Sequence, residues 1–138
     1  RMKEHASRAM FMANKLQDFG QNVVYPGLES HPDHELFTKA HNKEFGYGGL
    51  FTVDMKTTEC ASNLMDLLQN EQQFGFIAVS LGYFDTLMSC PGASTSSEMS
   101  EDAQTIAGIS PGLVRFSIGL TGSIEERWNQ MKTAIEQC

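Results

Sequence analysis

The residues best equipped for chemistry in this chain stand in unusual places for their type. Arg115 lies in the middle of "SPGLVRFSIG", residues 110–119, where a Ser-Pro-Gly turn runs into an alternating segment. In an extended strand Leu113, Arg115 and Ser117 share one face, and Val114, Phe116 and Ile118 share the other. An apolar row of three suits packing against helices. It leaves a permanently charged guanidinium on the opposite face. Three readings are open: a solvated surface charge, half of an ion pair worth at most ~1 kcal/mol, or the floor of an anion site. No acidic residue occurs on its own strand. Ser80 closes the apolar run "FGFIAVS" just before Gly82, which permits a sharp turn. Its hydroxyl either bonds to nearby backbone or meets a ligand.

The other reactive residue types make weaker patterns. His31 and His34 form an HxxH, with His41 seven residues further on. A metal centre needs neutral imidazoles converging with a third ligand; two histidines at this spacing do not supply one, so no metal is expected. "GYGG" at 46–49 follows a helical segment and precedes a strand, the reverse of the order that aims helical N–H groups at a phosphate. It reads as a tight connection with positive φ. Cys60, Cys90 and Cys138 are odd in number and contain no CxxC. Free thiols in a reducing compartment are expected, and with them a cytoplasmic location. Cys60 falls at a core-facing helical position, where a thiol is inert. No GxSxG, Walker-type loop or HExxH occurs.

The elements that must position Arg115 and Ser80 alternate along the chain. Met2, Ala6, Ala9, Ala13 and Leu16 form a helical stripe ending at Gly20. "NVVYPG" is a short strand. "SHPDHELFTKAHNKEF" is a second helix capped by Ser30, with Pro32 in its first turn. "LFTVDM" alternates as a strand, and "TTECASNLMDLLQN" has Cys60, Leu64, Leu67 and Leu68 at helical spacing. "FGFIAVS" is expected to be a buried strand and "YFDTLMSC" another. A Ser-rich loop, "PGASTSSEMSED", leads to a short helix ending at Gly108. After the Arg115 strand, Ser123 and Glu126 have capping-box spacing, and Ile124, Trp128, Met131 and Ile135 face inward. The alternation predicts an α/β two-layer sandwich of the α+β type, with helices on one face of a mainly antiparallel or mixed sheet.

Composition bounds the partners. The 138 residues fit one domain, and 41% hydrophobic content with nine Phe is enough for a core. A formal charge of −7, with no basic run, argues against nucleic acid. No apolar stretch reaches the roughly 20 residues of a membrane-spanning helix, and no secretory leader is evident. The chain begins with Arg1 inside a helix, which is the expectation for a piece of a longer polypeptide.

Four segments occur in a telling order: "YPGLESHPDHELF", "FGYGGL", "AVSLGYFDTLMSCPGASTSSE" and "AGISPGLVRFSIG". Together they resemble the C-terminal domain of the Cys/Met-metabolism family of pyridoxal-phosphate enzymes, of fold type I. The resemblance covers virtually the whole chain, with residues 1–19 as the end of a long inter-domain helix. It implies a sulfur amino acid as substrate and pyridoxal 5′-phosphate held on a lysine of a larger preceding domain. It also implies assembly as a homotetramer, a dimer of dimers. Lys3, Lys15, Lys39, Lys43, Lys56 and Lys132 read as surface residues, so the chain alone is expected to lack the cofactor-bearing lysine, any catalytic or metal residue, and activity. Arg115 matches the arginine that grips the substrate α-carboxylate, and Ser80 a serine beside it. Val79 matches the side-chain specificity position, where relatives that cleave cystathionine tend to carry Glu; valine suits an uncharged thioether. Leu81, Tyr83 and Thr95 match the site's edges. The family commonly has Thr-His where this chain has Thr95-Ser96. The expected activity of the whole enzyme is carbon–sulfur lysis of methionine. The alternatives are a cystathionine-directed relative, a free-standing amino-acid-binding regulatory module and a purely structural domain.

Overall fold

The computed structural model describes all residues, 1–138. Helix α1 (Met2–Asp18) opens the chain and buries Ala6, Ala9, Met12, Ala13 and Leu16. Strand β1 (Val23–Val24) and helix α2 (His34–Ala40) follow, then β2 (Leu50–Asp54) and α3 (Thr58–Asp66), which passes into a π-helical turn at Leu67–Glu71. Strands β3 (Gly75–Ile77) and β4 (Thr86–Ser89) precede a 3-10 turn at Pro91–Ala93 and helix α4 (Glu101–Ile106). Strand β5 (Leu113–Ser117) and helix α5 (Ile124–Gln137) complete the chain.

The five strands form one sheet in the order β1-β2-β5-β4-β3. All pairs are antiparallel except β3 with β4, which are parallel. One face carries Phe51, Val53, Met88, Val114, Phe116 and Ile118 into a core closed by α1, α3 and α5. Phe116 is its centre: its ring stacks on Phe51 at 5.2 Å and meets Phe74 edge-on at 6.4 Å. The expected two-layer mixed α/β architecture is therefore present, and the alternation of residues 113–118 sorts as the sequence implies.

Caps and turns follow local chemistry. Thr57 accepts from Cys60 N–H at the start of α3, and Ser123 accepts from Glu126 N–H at 3.1 Å at the start of α5. Gly46 and Gly48 in "GYGG" both adopt positive φ, as a tight connection requires.

Several expectations are corrected. The second helix is only seven residues long; Ser30 does not cap it but accepts from the Gln17 side chain at 2.7 Å, and Pro32 lies ahead of its first turn. "FGFIAVS" is not a buried strand. Only residues 75–77 pair, along the sheet edge, and Phe76 and Ile77 are exposed there. In "YFDTLMSC" the strand is confined to Thr86–Ser89. Cys60 is half-buried rather than in the core, lying near Cys138; burial first, and then Cys60, push the Cys138 thiol up, against a lowering hydrogen bond from Asn63.

Candidate substrate-binding site

The topology explains where the site lies. Parallel neighbouring strands ordinarily need a crossover of a dozen or more residues, usually with a helix. Between β3 and β4 the chain has only residues 78–85 in which to return. That run is too short to include a helix, so it crosses the helix-free face of the sheet as an extended loop. Its side chains are left in the open: Val79 is 60% exposed, Leu81 58%, Tyr83 55% and Phe84 60%.

Arg115 and Ser117 project from β5 onto that same face and meet the loop. Arg115 Nη2 donates to the Ser80 carbonyl at 3.1 Å, and Ser117 Oγ accepts the Gly82 N–H at 2.8 Å. Gly82 has φ +68°, so the turn uses the left-handed backbone that glycine alone enters freely. Next to Arg115 across the sheet stand Thr52 on β2 and Ser89 on β4. Behind the loop, Leu81, Gly82, Ser117, Leu50 and His5 border a cavity of about 390 Å³. His5 donates Nδ1–H to the Ile118 carbonyl at 2.7 Å, leaving its buried Nε2 without a partner.

The arginines differ in how fully the protein occupies them. Arg8 bonds Glu4, the Thr121 carbonyl and the Gly122 carbonyl through its three nitrogens. Arg127 likewise engages Thr121, Gln73 and Gln130. Arg115 makes the one bond to Ser80. It has no ion pair, and its buried Nε–H has no acceptor. Ser89 Oγ, on the register-paired residue, is also buried and unpartnered. The carboxylate nearest along the sheet, Asp54, already accepts from Ser110 and from the Lys56 N–H. A half-buried cation with free donors, in a protein of net charge −7, can take a planar anion through two parallel hydrogen bonds.

The structure thus brings Ser80 to Arg115, with Val79 and Leu81 as its exposed neighbours on the same loop. Ser80 meets Arg115 through its backbone carbonyl. Thr95 is exposed in the Ser-rich stretch and makes no hydrogen bond to Arg115; Gln104 holds that stretch by donating to the Ser96 and Met99 carbonyls at 2.9 and 3.2 Å. Ser89 and Ser117 were not singled out from sequence. Their roles depend on strand register, and the only signal was a small polar residue at an alternating position of a buried strand.

The histidines do not converge on a metal geometry. His34 and His41 stack against Tyr47, with centroids at 5.5 and 4.5 Å, and turn Nδ1 to the Pro26 and Phe37 carbonyls. No three His, Cys, Asp or Glu side chains are placed to hold a metal ion together.

This fold and sequence define a class: the chain belongs to the Cys/Met metabolism PLP-dependent enzyme family, whose model matches residues 1–136. Within it, the chain is 54% identical over 135 residues to methionine gamma-lyase of Arabidopsis thaliana, across 98% of this chain and 31% of that protein. It is 34% identical to cystathionine gamma-lyase of Homo sapiens over 87% of this chain and 29% of that one. Among solved structures, a putative O-acetylhomoserine (thiol)-lyase from Campylobacter jejuni, holding N′-pyridoxyl-lysine-5′-monophosphate, superposes with TM-score 0.87 at 31% identity. That match covers 99% of this chain and 31% of the other. The chain spans about a third of the length of the curated relatives it matches.

Pyridoxal phosphate is attached through a lysine, and the six lysines of this chain stand at its surface. Lys3 pairs with Glu44, Lys132 with Glu136, and Lys15 lies over the Phe11 ring. Lys39, Lys43 and Lys56 are exposed, and no lysine bonds to Arg115 or to residues 79–81.

Proposed function

We propose that this chain is the substrate-binding C-terminal part of a pyridoxal-phosphate-dependent carbon–sulfur lyase that acts on methionine. The reaction would convert methionine and water to methanethiol, 2-oxobutanoate and ammonia. Pyridoxal phosphate and its lysine would come from the rest of the polypeptide. The observation that carries the reading is Arg115: a half-buried fork with one protein hydrogen bond and no counter-ion. In this role it takes the α-carboxylate through charge-assisted bonds and fixes the orientation of the amino acid's Cα. Ser80 borders the same anion. Val79 and Leu81 present aliphatic surface to the side chain and offer no charge for a distal ammonium, which favours a thioether over cystathionine. Thr95 would contribute at the edge through the Ser-rich loop. A cytoplasmic, tetrameric enzyme is part of the same proposal, by analogy with the family.

The test is to express the full-length protein and measure 2-oxobutanoate and methanethiol from methionine, with cystathionine as competitor. Turnover of methionine at several times the kcat/KM of cystathionine is expected, and residues 1–138 alone are expected to give none. Preference for cystathionine, or turnover by the isolated chain, overturns the proposal.

A further inference from the structure

Residues 78–85 cross the sheet with their apolar side chains in the open, and a cavity of about 390 Å³ lies behind Leu81 and Gly82. Side-chain packing therefore does little to determine where the loop stands. Its backbone is located instead by a few hydrogen bonds. Two lie at its ends, where Ala78 N–H donates to the Met88 carbonyl at 2.9 Å and Leu120 N–H to the Phe84 carbonyl at 2.7 Å. Near its centre, the contacts are Arg115 to the Ser80 carbonyl, Arg1 to the Gly82 carbonyl, and Gly82 N–H to Ser117 Oγ.

The central contacts are not equivalent. Arg115 is the group that would bind the substrate carboxylate, and a carboxylate competes with a neutral carbonyl for the same N–H. Its hold on Ser80 weakens when substrate arrives. Ser117 is only 3% exposed, sits on the central strand β5, and bonds to the loop through its hydroxyl. It fixes Gly82 at the positive-φ turn directly after Leu81 and three residues after Val79.

We propose that Ser117 is a positioning residue for side-chain selectivity: its hydroxyl holds Gly82 and so sets where Val79 and Leu81 stand relative to Arg115. The proposal rests on the reading of Val79 given above. Ser117 touches neither substrate nor cofactor. It acts through the loop, so its loss alters the fit of the substrate side chain while Arg115 still binds the carboxylate.

The experiment uses the full-length enzyme with Ser117→Ala, Ser117→Thr and, in parallel, Val79→Glu. Losing one neutral hydrogen bond to a backbone N–H predicts that Ser117→Ala raises KM for methionine roughly fivefold and lowers the methionine-to-cystathionine preference by a similar factor, with kcat within about twofold. Threonine keeps the acceptor, and the cavity beside it takes the added methyl, so Ser117→Thr should restore KM and preference. Gly82→Ala strains the same turn and should reproduce the alanine phenotype. If Ser117→Ala leaves KM and preference unchanged while Val79→Glu shifts preference, the positioning role is wrong and the loop reading stands. If neither variant moves the preference, both are wrong. A fall in kcat with KM unchanged, or failure of threonine to rescue, also overturns the positioning role.

Discussion

Replacing Arg115 by alanine in the full-length enzyme separates a ligand-binding arginine from a structural one. Structurally, the residue contributes one hydrogen bond, at 3.1 Å, to the carbonyl of exposed Ser80. Water can replace that bond, and the substitution also removes a buried N–H that lacks an acceptor. The expected cost to the fold is below about 1 kcal/mol, a melting shift of less than about 4 °C. The cost to substrate binding is larger, because each charged hydrogen bond contributes about 1.5–3 kcal/mol. At 1.4 kcal/mol per tenfold, kcat/KM for methionine should fall about 10- to 150-fold or more. Lysine in the same place keeps the charge but not the fork, and should recover only part of the loss. Steady-state kinetics beside a thermal melt of the same preparation give both quantities. A kcat/KM within twofold of the parent refutes the reasoning. So does a melting temperature that falls by ten degrees or more, since Arg115 would then be supporting the fold.

Three further outcomes follow from the same geometry. Val79→Glu places a carboxylate on the loop that can meet a distal ammonium, so preference should move toward cystathionine by tenfold or more in competitive assays; an unchanged ratio makes Val79 mere surface. Burial first, and then neighbouring Tyr47, raise the Tyr25 phenol above its ordinary value of 10.0, while its OH donates to the Gly48 carbonyl at 2.9 Å. The unfolded chain therefore loses that proton first. Stability is intact below about pH 10 and declines above it, by up to about 1.4 kcal/mol per pH unit. Melting curves from pH 8 to 11 should fall more steeply for the parent than for Tyr25→Phe, and parallel curves would dismiss this. Phe116→Ala, at the centre of the core, should destabilise by about 3–5 kcal/mol in chemical denaturation; a loss below 1 kcal/mol contradicts the packing described.

Much of this was legible in the sequence because burial and side-chain period agree there. Val114, Phe116 and Ile118 alternate with Leu113, Arg115 and Ser117, and the core takes the first set. Arg115 was conspicuous because a charge that cannot be neutralised stood in an otherwise apolar strand. The misreading of "FGFIAVS" has a physical cause. Apolar run length reports hydrophobicity but not whether a second strand is available, and only residues 75–77 find one. Ser89 and Ser117 stayed hidden because their meaning comes from partners 26 and 35 residues away in sequence, through the register Ser89↔Arg115 and the hydrogen bond from Gly82 N–H to Ser117. Ser30 misled because a capping residue type also serves as an acceptor for Gln17.

The helix-less return between two parallel strands constrains how this family member could diversify. Residues 78–85 must cover a set distance, from the far end of one strand to the near end of the next. Shortening the segment would tear the edge strand away, and lengthening it would lift the arch off its anchors. New specificities on this scaffold should therefore arise by exchanging side chains along a span of constant length.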